Sequence, residues 1–251
     1  MSNKSKVLIF DIETSPNLAY VWGKWKQNIY SKQFVEKSYI MSFAAKWLDN
    51  DEVIYMDNRH DDDKEIVKAL FNLFDEADVV VAHNGDKFDI PRVTGRGIVH
   101  GLRPPSPYHS VDTVKVARRK FGFLSNSLAD LCQELNLPLK GDHKKFAGFD
   151  LWIECLQQND EAWGEMKEYN IQDILSLEAL YLRLLPYITN HPNVGQHEHS
   201  CPSCGSIDLQ RRGVYKPKSG LEYNRFCCNS CGSWSKSKKS NRVVTNENRS
   251  V

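Results

Sequence analysis

The sequence predicts an α/β protein in which a mixed β-sheet is covered by helices on both faces and a small, metal-held ribbon follows at the C-terminus. Short apolar runs alternate with amphipathic stretches over residues 1–186, as they do in a domain built from strands and helices. Cysteines crowd the last fifth of the chain in C-x2-C pairs. A chain of 251 residues has room for one substantial domain and a small appendage.

Strands are predicted where a short apolar run is bounded by polar or turn residues, and helices where apolar residues recur at three- and four-residue steps. The predicted strands are residues 6–12, Tyr39–Leu48, Glu52–Asp57 and Asp78–His83, and the predicted helices are Asp61–Ala77, Asp112–Phe121, Ser127–Leu135 and Asp160–Leu185. Residues 84–107 contain many Gly and Pro and are predicted to loop around a short helix.

The formal net charge of +1 conceals an asymmetry between the two ends of the chain. Residues 187–251 carry ten Lys or Arg against four Asp or Glu, a charge of +6 that leaves −5 for residues 1–186. An acidic body suits a carboxylate site for cations, and a basic appendage suits phosphates. The apolar run Val7–Phe10 is too short for a signal peptide or a membrane span, so we expect a cytoplasmic protein without a membrane partner.

Two acids stand at the end of the first predicted strand. Because side chains alternate along a strand, Asp11 and Glu13 share one face with Val7 and Ile9. Two like charges at the end of an apolar strand are costly unless cations lie between them. Taken alone, the pair is explained at least as well by strand-end residues that meet solvent.

Another acid follows the strand that ends near His83. The segment Asn84–Asp89 lies at the C-terminal end of that strand, where α/β sheets bind ligands. Asp89 then begins a helix, and capping of that helix would explain this acid without any function.

The last acid of interest lies on the longest predicted helix. The apolar stripe of this helix, on which Asp173 also falls, consists of Met166, Tyr169, Leu177, Leu180 and Leu184. Tyr169 stands one turn before Asp173, so both side chains project from one face. Inward carboxylates are rare unless they are paired, so Asp173 is the acid that solvent exposure or capping explains least well.

In this order the motifs resemble the DEDD superfamily of 3′→5′ exonucleases, in the tyrosine-bearing branch that includes proofreading domains of DNA polymerases. Asp11-x-Glu13 matches the first exonuclease motif, Asn84-x3-Phe88-Asp89 the second and Tyr169-x3-Asp173 the third. The tyrosine branch is indicated because no histidine lies just before Asp173. The resemblance covers residues 6–186 and implies a ribonuclease-H-like fold.

The resemblance also implies a mechanism. Two Mg²⁺ or Mn²⁺ ions would be held by Asp11, Glu13, Asp89 and Asp173, and a water would attack the phosphodiester in line. Asp11 would bridge the ions, Glu13 and Asp173 would share one of them, and Asp89 would act largely through the waters of the other. Tyr169 would orient the attacking water.

Further residues are candidates for substrate binding. The second motif implies that Asn84 and Phe88 contact the substrate strand, although Asn is also common in turns. Arg119 lies in the basic segment Lys115–Lys120, which two phenylalanines follow, as in a channel for single strands. A solvated helix face beside core aromatics explains that segment equally well. Asp112 is expected to cap a helix rather than bind a metal.

Two C-x2-C-Gly knuckles near the C-terminus provide the ligands of a tetrahedral structural zinc site. Cys201 and Cys204 form the first knuckle, and Cys228 and Cys231 form the second, with 23 residues between them. Four thiolates close the coordination sphere, which predicts one structural Zn²⁺ without a catalytic position. The spacing of Cys227 also allows it to be a ligand, although the doubled knuckle favours Cys228.

Strands are predicted between the knuckles at Asp208–Tyr215 and Leu221–Phe226, so the module resembles a zinc ribbon. The predicted organisation is an exonuclease domain at residues 1–186, a linker at 187–200, the ribbon at 201–235 and a basic tail without regular structure at 236–251. The basic ribbon is expected to bind nucleic acid, with a replication or repair protein as the competing partner.

Together these features predict an exonuclease that removes nucleotides from the 3′ end of a nucleic acid, with single-stranded or frayed DNA favoured over RNA. The alternatives are a structure-selective endonuclease on the same fold and a catalytically silent nucleic-acid-binding module. The complete set of motifs argues against the silent module.

Overall fold

The computed structural model describes residues 5–60, 62–138 and 145–241. The chain divides into two compact units, of which one is Lys6–Tyr181 and the other begins at Leu182. No helix in the described parts of the chain is long and apolar enough to cross a membrane.

The first unit is built on a mixed β-sheet. The strands of this unit are β1 (Val7–Thr14), β2 (Leu18–Ala19), β3 (Phe34–Glu36), β4 (Ile40–Trp47), β5 (Val53–Asp57), β6 (Val79–Ala82) and β7 (His109–Asp112). Five of them form one sheet in the order β5-β4-β1-β6-β7, while β2 and β3 pair with each other. Strand β1 is parallel to β6 and antiparallel to β4, and β6 is parallel to β7.

Helices cover both faces of this sheet. They are α1 (Lys64–Glu76), α2 (Asp89–Val99), α3 (Thr113–Lys120), α4 (Leu128–Glu134), α5 (Asp150–Leu156) and α6 (Asp160–Leu184). On one face, Leu8 and Phe10 of β1 pack in a core with residues of α1 such as Leu70. A separate core joins Met41 of β4 to residues of α5 and α6 such as Met166. The predicted α/β class, with a helix-covered mixed sheet, is confirmed.

Several short elements differ from the predictions. Strand β7 and helix α5 were not expected, because β7 has only four residues, two of them polar and exposed, and α5 has seven residues. Pairing with β6 makes β7 a strand in spite of its composition. The predicted role of Asp112 as a helix cap is confirmed, because its side chain accepts hydrogen bonds from the backbone N–H groups of Val114 and Lys115.

The second unit contains a small antiparallel sheet. Its strands are β8 (Leu209–Tyr215), β9 (Tyr223–Cys228) and β10 (Trp234–Lys236), in the order β10-β9-β8. Strand β10 was not expected, and the prediction that residues 236–251 lack regular structure is wrong at Lys236, which pairs with Arg225. The remainder of that predicted tail from 242 to 251 lies outside the described residues.

Candidate functional site

Three carboxylates meet beside strand β1. Asp11 and Glu13 lie on the face of β1 opposite Leu8, Phe10 and Ile12. Asp173 of α6 is 4% exposed, and one oxygen from each of Asp11, Glu13 and Asp173 lies within 4.8 Å of the others. The sheet and the long helix therefore bring the first and third sequence motifs together.

A buried amide orients Asp11 within this group. The Ser42 hydroxyl on β4 donates to Asn170 Oδ1 at 3.1 Å, and Asn170 Nδ2 donates to Asp11 Oδ2 at 3.1 Å. Ser42 and Asn170 are both fully buried. Because the oxygen of the Asn170 amide accepts the serine hydroxyl, its NH₂ group must face Asp11. Sequence reasoning missed Asn170, although its place three residues before Asp173 puts it on a neighbouring face of the helix.

Strand β4 has an irregularity at this point. Glu13 pairs with Ser42, whereas the next residue, Thr14, pairs with Ile40, so Met41 is an extra residue. Such bulges shift which side chains face a site. Ser42, the residue that holds Asn170, is the last residue of the regular ladder opposite Glu13, and the bulge follows it directly.

Helix α6 is held to the same strand by an ion pair. Lys46 is almost fully buried on β4, and its Nζ lies 2.5 Å from Glu178 Oε1 on α6. A cation with this little solvent access requires an anionic partner, and removing either partner of a buried pair is costly. The contact fixes α6 against β4 two turns beyond Asn170.

Asp89 lies apart from the three grouped carboxylates. It is buried, and its Oδ1 accepts a hydrogen bond from the backbone N–H of Ile12 at 3.3 Å. Burial, with a smaller contribution from the charge on Asp112, raises the pKa of Asp89 to about 7 in spite of this bond. The carboxylate thus faces β1, between the positions of Asp11 and Glu13, but does not belong to the group whose oxygens lie within 4.8 Å of each other.

Hydrogen bonds to the backbone of Asn84 fix the turn after β6. Asn84 has a left-handed backbone with φ of 65°, and its N–H donates to Asp112 Oδ1 at 3.1 Å. Its carbonyl accepts from the N–H of Phe88. Asn84 is thus a turn residue. Its predicted contact with the substrate strand stays a prediction, because a turn residue can also contact a ligand.

The remaining predicted site residues lie on α6, at the N-cap of α2 and on α3. Tyr169 is half-buried, and its ring meets the edge of Trp152 with centroids 6.1 Å apart. Phe88 is partly exposed and has the Arg92 guanidinium 5.2 Å from its ring centroid. Arg119 is exposed in the last turn of α3.

The four knuckle cysteines form a second cluster. The Cys201 and Cys231 sulfurs are 3.7 Å apart, as are those of Cys204 and Cys228. Sulfurs bound tetrahedrally at about 2.3 Å from a zinc ion are about 3.8 Å from one another, so the spacing fits Zn²⁺. All four sulfurs lie within 4.8 Å of one another, and Cys227 is not in the group.

The backbone geometry of two glycines explains why Cys228, and not Cys227, belongs to the cysteine cluster. Gly205 and Gly232 both have left-handed backbones, with φ of 77° and 78°. The Gly205 N–H donates to the carbonyl of Cys201, and the Gly232 N–H donates in the same way to Cys228, each at 2.9 Å. The two knuckles are therefore equivalent turns, with Cys201 and Cys228 in matching positions.

Comparisons with known proteins agree with the fold. The family model RNase_H_2, of the RNase_H superfamily, matches residues 8–185. No curated protein matches the sequence. Among solved structures, the family B DNA polymerase from the hyperthermophilic archaeon Pyrobaculum calidifontis is similar over 73% of this chain, with 16% identity and a TM-score of 0.54. The chain spans about a quarter of that polymerase, since the match covers 25% of its length.

Asn170→Ala should weaken Mn²⁺ binding by about tenfold, because residues that orient a metal ligand typically contribute that much to affinity. Isothermal titration calorimetry with Mn²⁺ measures the effect. Ser176→Ala is the matched control, since it also removes a buried polar group from α6. An Asn170→Ala protein that is folded and binds Mn²⁺ as tightly as wild type would contradict the orienting role.

Proposed function

The chain belongs to the RNase H superfamily, and from this premise we propose that it is a divalent-metal-dependent 3′→5′ exonuclease of the tyrosine-bearing DEDD branch. The observation that carries the proposal is the meeting of Asp11, Glu13 and Asp173 at one point. These acids come from two sequence motifs that lie about 160 residues apart in the chain. A fold match to a DNA polymerase agrees with the proposal at the level of architecture.

The carboxylate group fits hard divalent cations. Asp11, Glu13 and Asp173 offer closely spaced oxygen ligands, which Mg²⁺ and Mn²⁺ prefer. When bound, such cations offset the repulsion between the acids and supply Lewis-acid chemistry for phosphodiester hydrolysis. We assign Asp89 to the same centre as its outer member, because burial favours a proton on its carboxylate when no cation is near.

The protein's own side chains have separate tasks in this proposal. Asn170 holds Asp11 in one orientation through the Ser42 bond. Tyr169 projects from the same helix as Asp173 and would position the attacking water through its hydroxyl. The exposed ring of Phe88 would pack on the terminal nucleotide, with Asn84 and Arg119 contacting the strand.

The C-terminal unit is proposed to be a zinc ribbon that docks nucleic acid. Its four thiols fit Zn²⁺ in spacing. Burial raises the pKa of Cys201 and Cys204, whereas at Cys228 the hydrogen bonds from the backbone N–H groups of Cys231 and Ser230 outweigh burial and lower the pKa to about 7. A lowered pKa favours the thiolate that binds metal. Lys236 lies over the rings of Tyr215 and Tyr223, so the sheet carries cations and aromatics together.

Strand cleavage tests the proposed activity directly. A 5′-labelled single-stranded DNA incubated with Mg²⁺ or Mn²⁺ should give a ladder that shortens from the 3′ end, resolved on a denaturing gel. Asp11→Ala should abolish the ladder, by at least about a thousandfold in rate, because it removes one of the three carboxylates that would hold the cations. Thermal unfolding should show that this variant is folded.

Other results would reject the proposal. A discrete internal product would indicate an endonuclease on the same fold. The absence of any cleavage on DNA and RNA with both ions would indicate a binding module. Wild-type activity in Asp11→Ala would show that the acids are not the reactive centre.

Removing two ribbon cysteines tests the zinc assignment. Cys201→Ser with Cys204→Ser should release one Zn²⁺ per chain, measured by atomic absorption, and raise KM for DNA more than it lowers kcat. Cys227→Ser is the matched control and should retain zinc, since Cys227 lies outside the cluster. An unchanged KM after zinc loss would indicate that the ribbon binds a protein instead.

A further inference from the structure

An arm leaves the sheet between β1 and β4. We define the aromatic arm as residues 18–36, which include the paired strands β2 and β3. At its base the Tyr20 N–H donates to the carbonyl of Gln33, and the Gln33 side chain donates back to the carbonyl of Tyr20. The same side chain accepts from the N–H of Tyr30. These bonds hold the base closed and leave the segment between them as a loop.

The arm exposes four large aromatic rings. Tyr20, Trp22, Trp25 and Tyr30 are 75%, 99%, 76% and 73% exposed. Aromatic side chains carry much of the apolar surface that proteins bury, so four such rings in one short exposed segment indicate a binding surface.

The charge of the arm identifies the kind of partner. Lys24, Lys26 and Lys32 stand among the rings, and Glu36 is the only acid in residues 18–36. Lys24 Nζ lies 5.2 Å from the ring centroid of Trp25. The lysines place positive charge between the exposed rings, which suits a polyanionic partner. Rings that accept bases and ammonium groups that accept phosphates together suit a single-stranded nucleic acid.

The arm begins five residues after Glu13 of the acidic site. Ser15 stands two residues after Glu13, and its N–H donates to the carbonyl of Tyr39 while its hydroxyl accepts the Tyr39 N–H, both at 2.9 Å. These bonds close the base of the arm where β1 ends and β4 begins. Tyr20 follows Glu13 by seven residues, so it lies within about 25 Å of that acid along any path of the chain.

We propose that the aromatic arm binds single-stranded nucleic acid by stacking bases on Tyr20, Trp22, Trp25 and Tyr30, with its lysines on the phosphates. Binding by the arm does not require catalysis. Delivery of the bound strand's 3′ end to the Asp11 site is the part that rests on the proposed function.

Affinity for an oligonucleotide tests this proposal. Fluorescence anisotropy of a 5′-labelled 20-nucleotide oligo(dT) gives Kd for the full chain in buffer without added Mg²⁺ or Mn²⁺. The double variant Trp22→Ala with Trp25→Ala should raise Kd at least about tenfold, because each base stacked on an aromatic ring contributes substantially to the binding free energy. Trp22→Phe with Trp25→Phe is the matched control and should stay within about threefold of wild type, because phenyl rings still stack.

The outcomes separate this proposal from the exonuclease activity. An unchanged Kd in the alanine variant, with its thermal unfolding also unchanged, would overturn the arm's role even if the wild type cleaves DNA. A raised Kd in the alanine variant, together with a wild-type protein that cleaves no nucleic acid, would support the arm's role and reject the exonuclease activity. If the alanine variant instead loses self-association or binding to phosphatidylserine vesicles at unchanged Kd, the arm serves a second copy or a membrane surface and the proposal fails.

Discussion

The docking of α6 onto strands β1 and β4 is the constraint on which the acidic site depends. It places Asp173 against Asp11 and Glu13, so that three like charges share a partly buried space. Such a group is unfavourable alone, and it is stabilised by protonation or by cations. Two polar contacts, Ser42 with Asn170 and Lys46 with Glu178, hold the helix in place. The fold thereby imposes charge repulsion that divalent cations can relieve.

Much of this arrangement could be predicted from the sequence because it follows simple periodicity. Alternation along β1 placed Asp11 and Glu13 on one face, and the stripe of α6 turned Asp173 inward. Asn170 could not be predicted, because its role depends on Ser42, a residue 128 positions away on a bulged strand. Strand β7 was missed for a related reason, since its backbone partner, not its composition, makes it a strand.

The C-terminal cysteine module and the aromatic arm show two other limits of prediction from sequence. Spacing alone predicted the cysteine cluster, because repeated C-x2-C-Gly turns are typical of four-thiolate metal sites. The turns at Gly205 and Gly232 explain why Cys228, rather than Cys227, belongs to the cluster. Strand β10 was missed, because its composition resembles that of the basic tail. The arm has no periodic pattern at all, and only the exposure of Trp22 and its neighbours reveals it. Exposure is a property of the folded chain, so sequence patterns do not report it.

If the acidic site works as proposed, Asp11, Glu13 and Asp173 bind divalent cations. Anomalous X-ray diffraction at the manganese edge, from crystals soaked in Mn²⁺, measures this most directly. Manganese peaks are expected in contact with oxygens of these three residues, and those peaks should be lost in crystals of Asp173→Asn. Saturating Mn²⁺ with no peak at the three carboxylates, or with peaks only elsewhere on the molecule, would contradict this expectation.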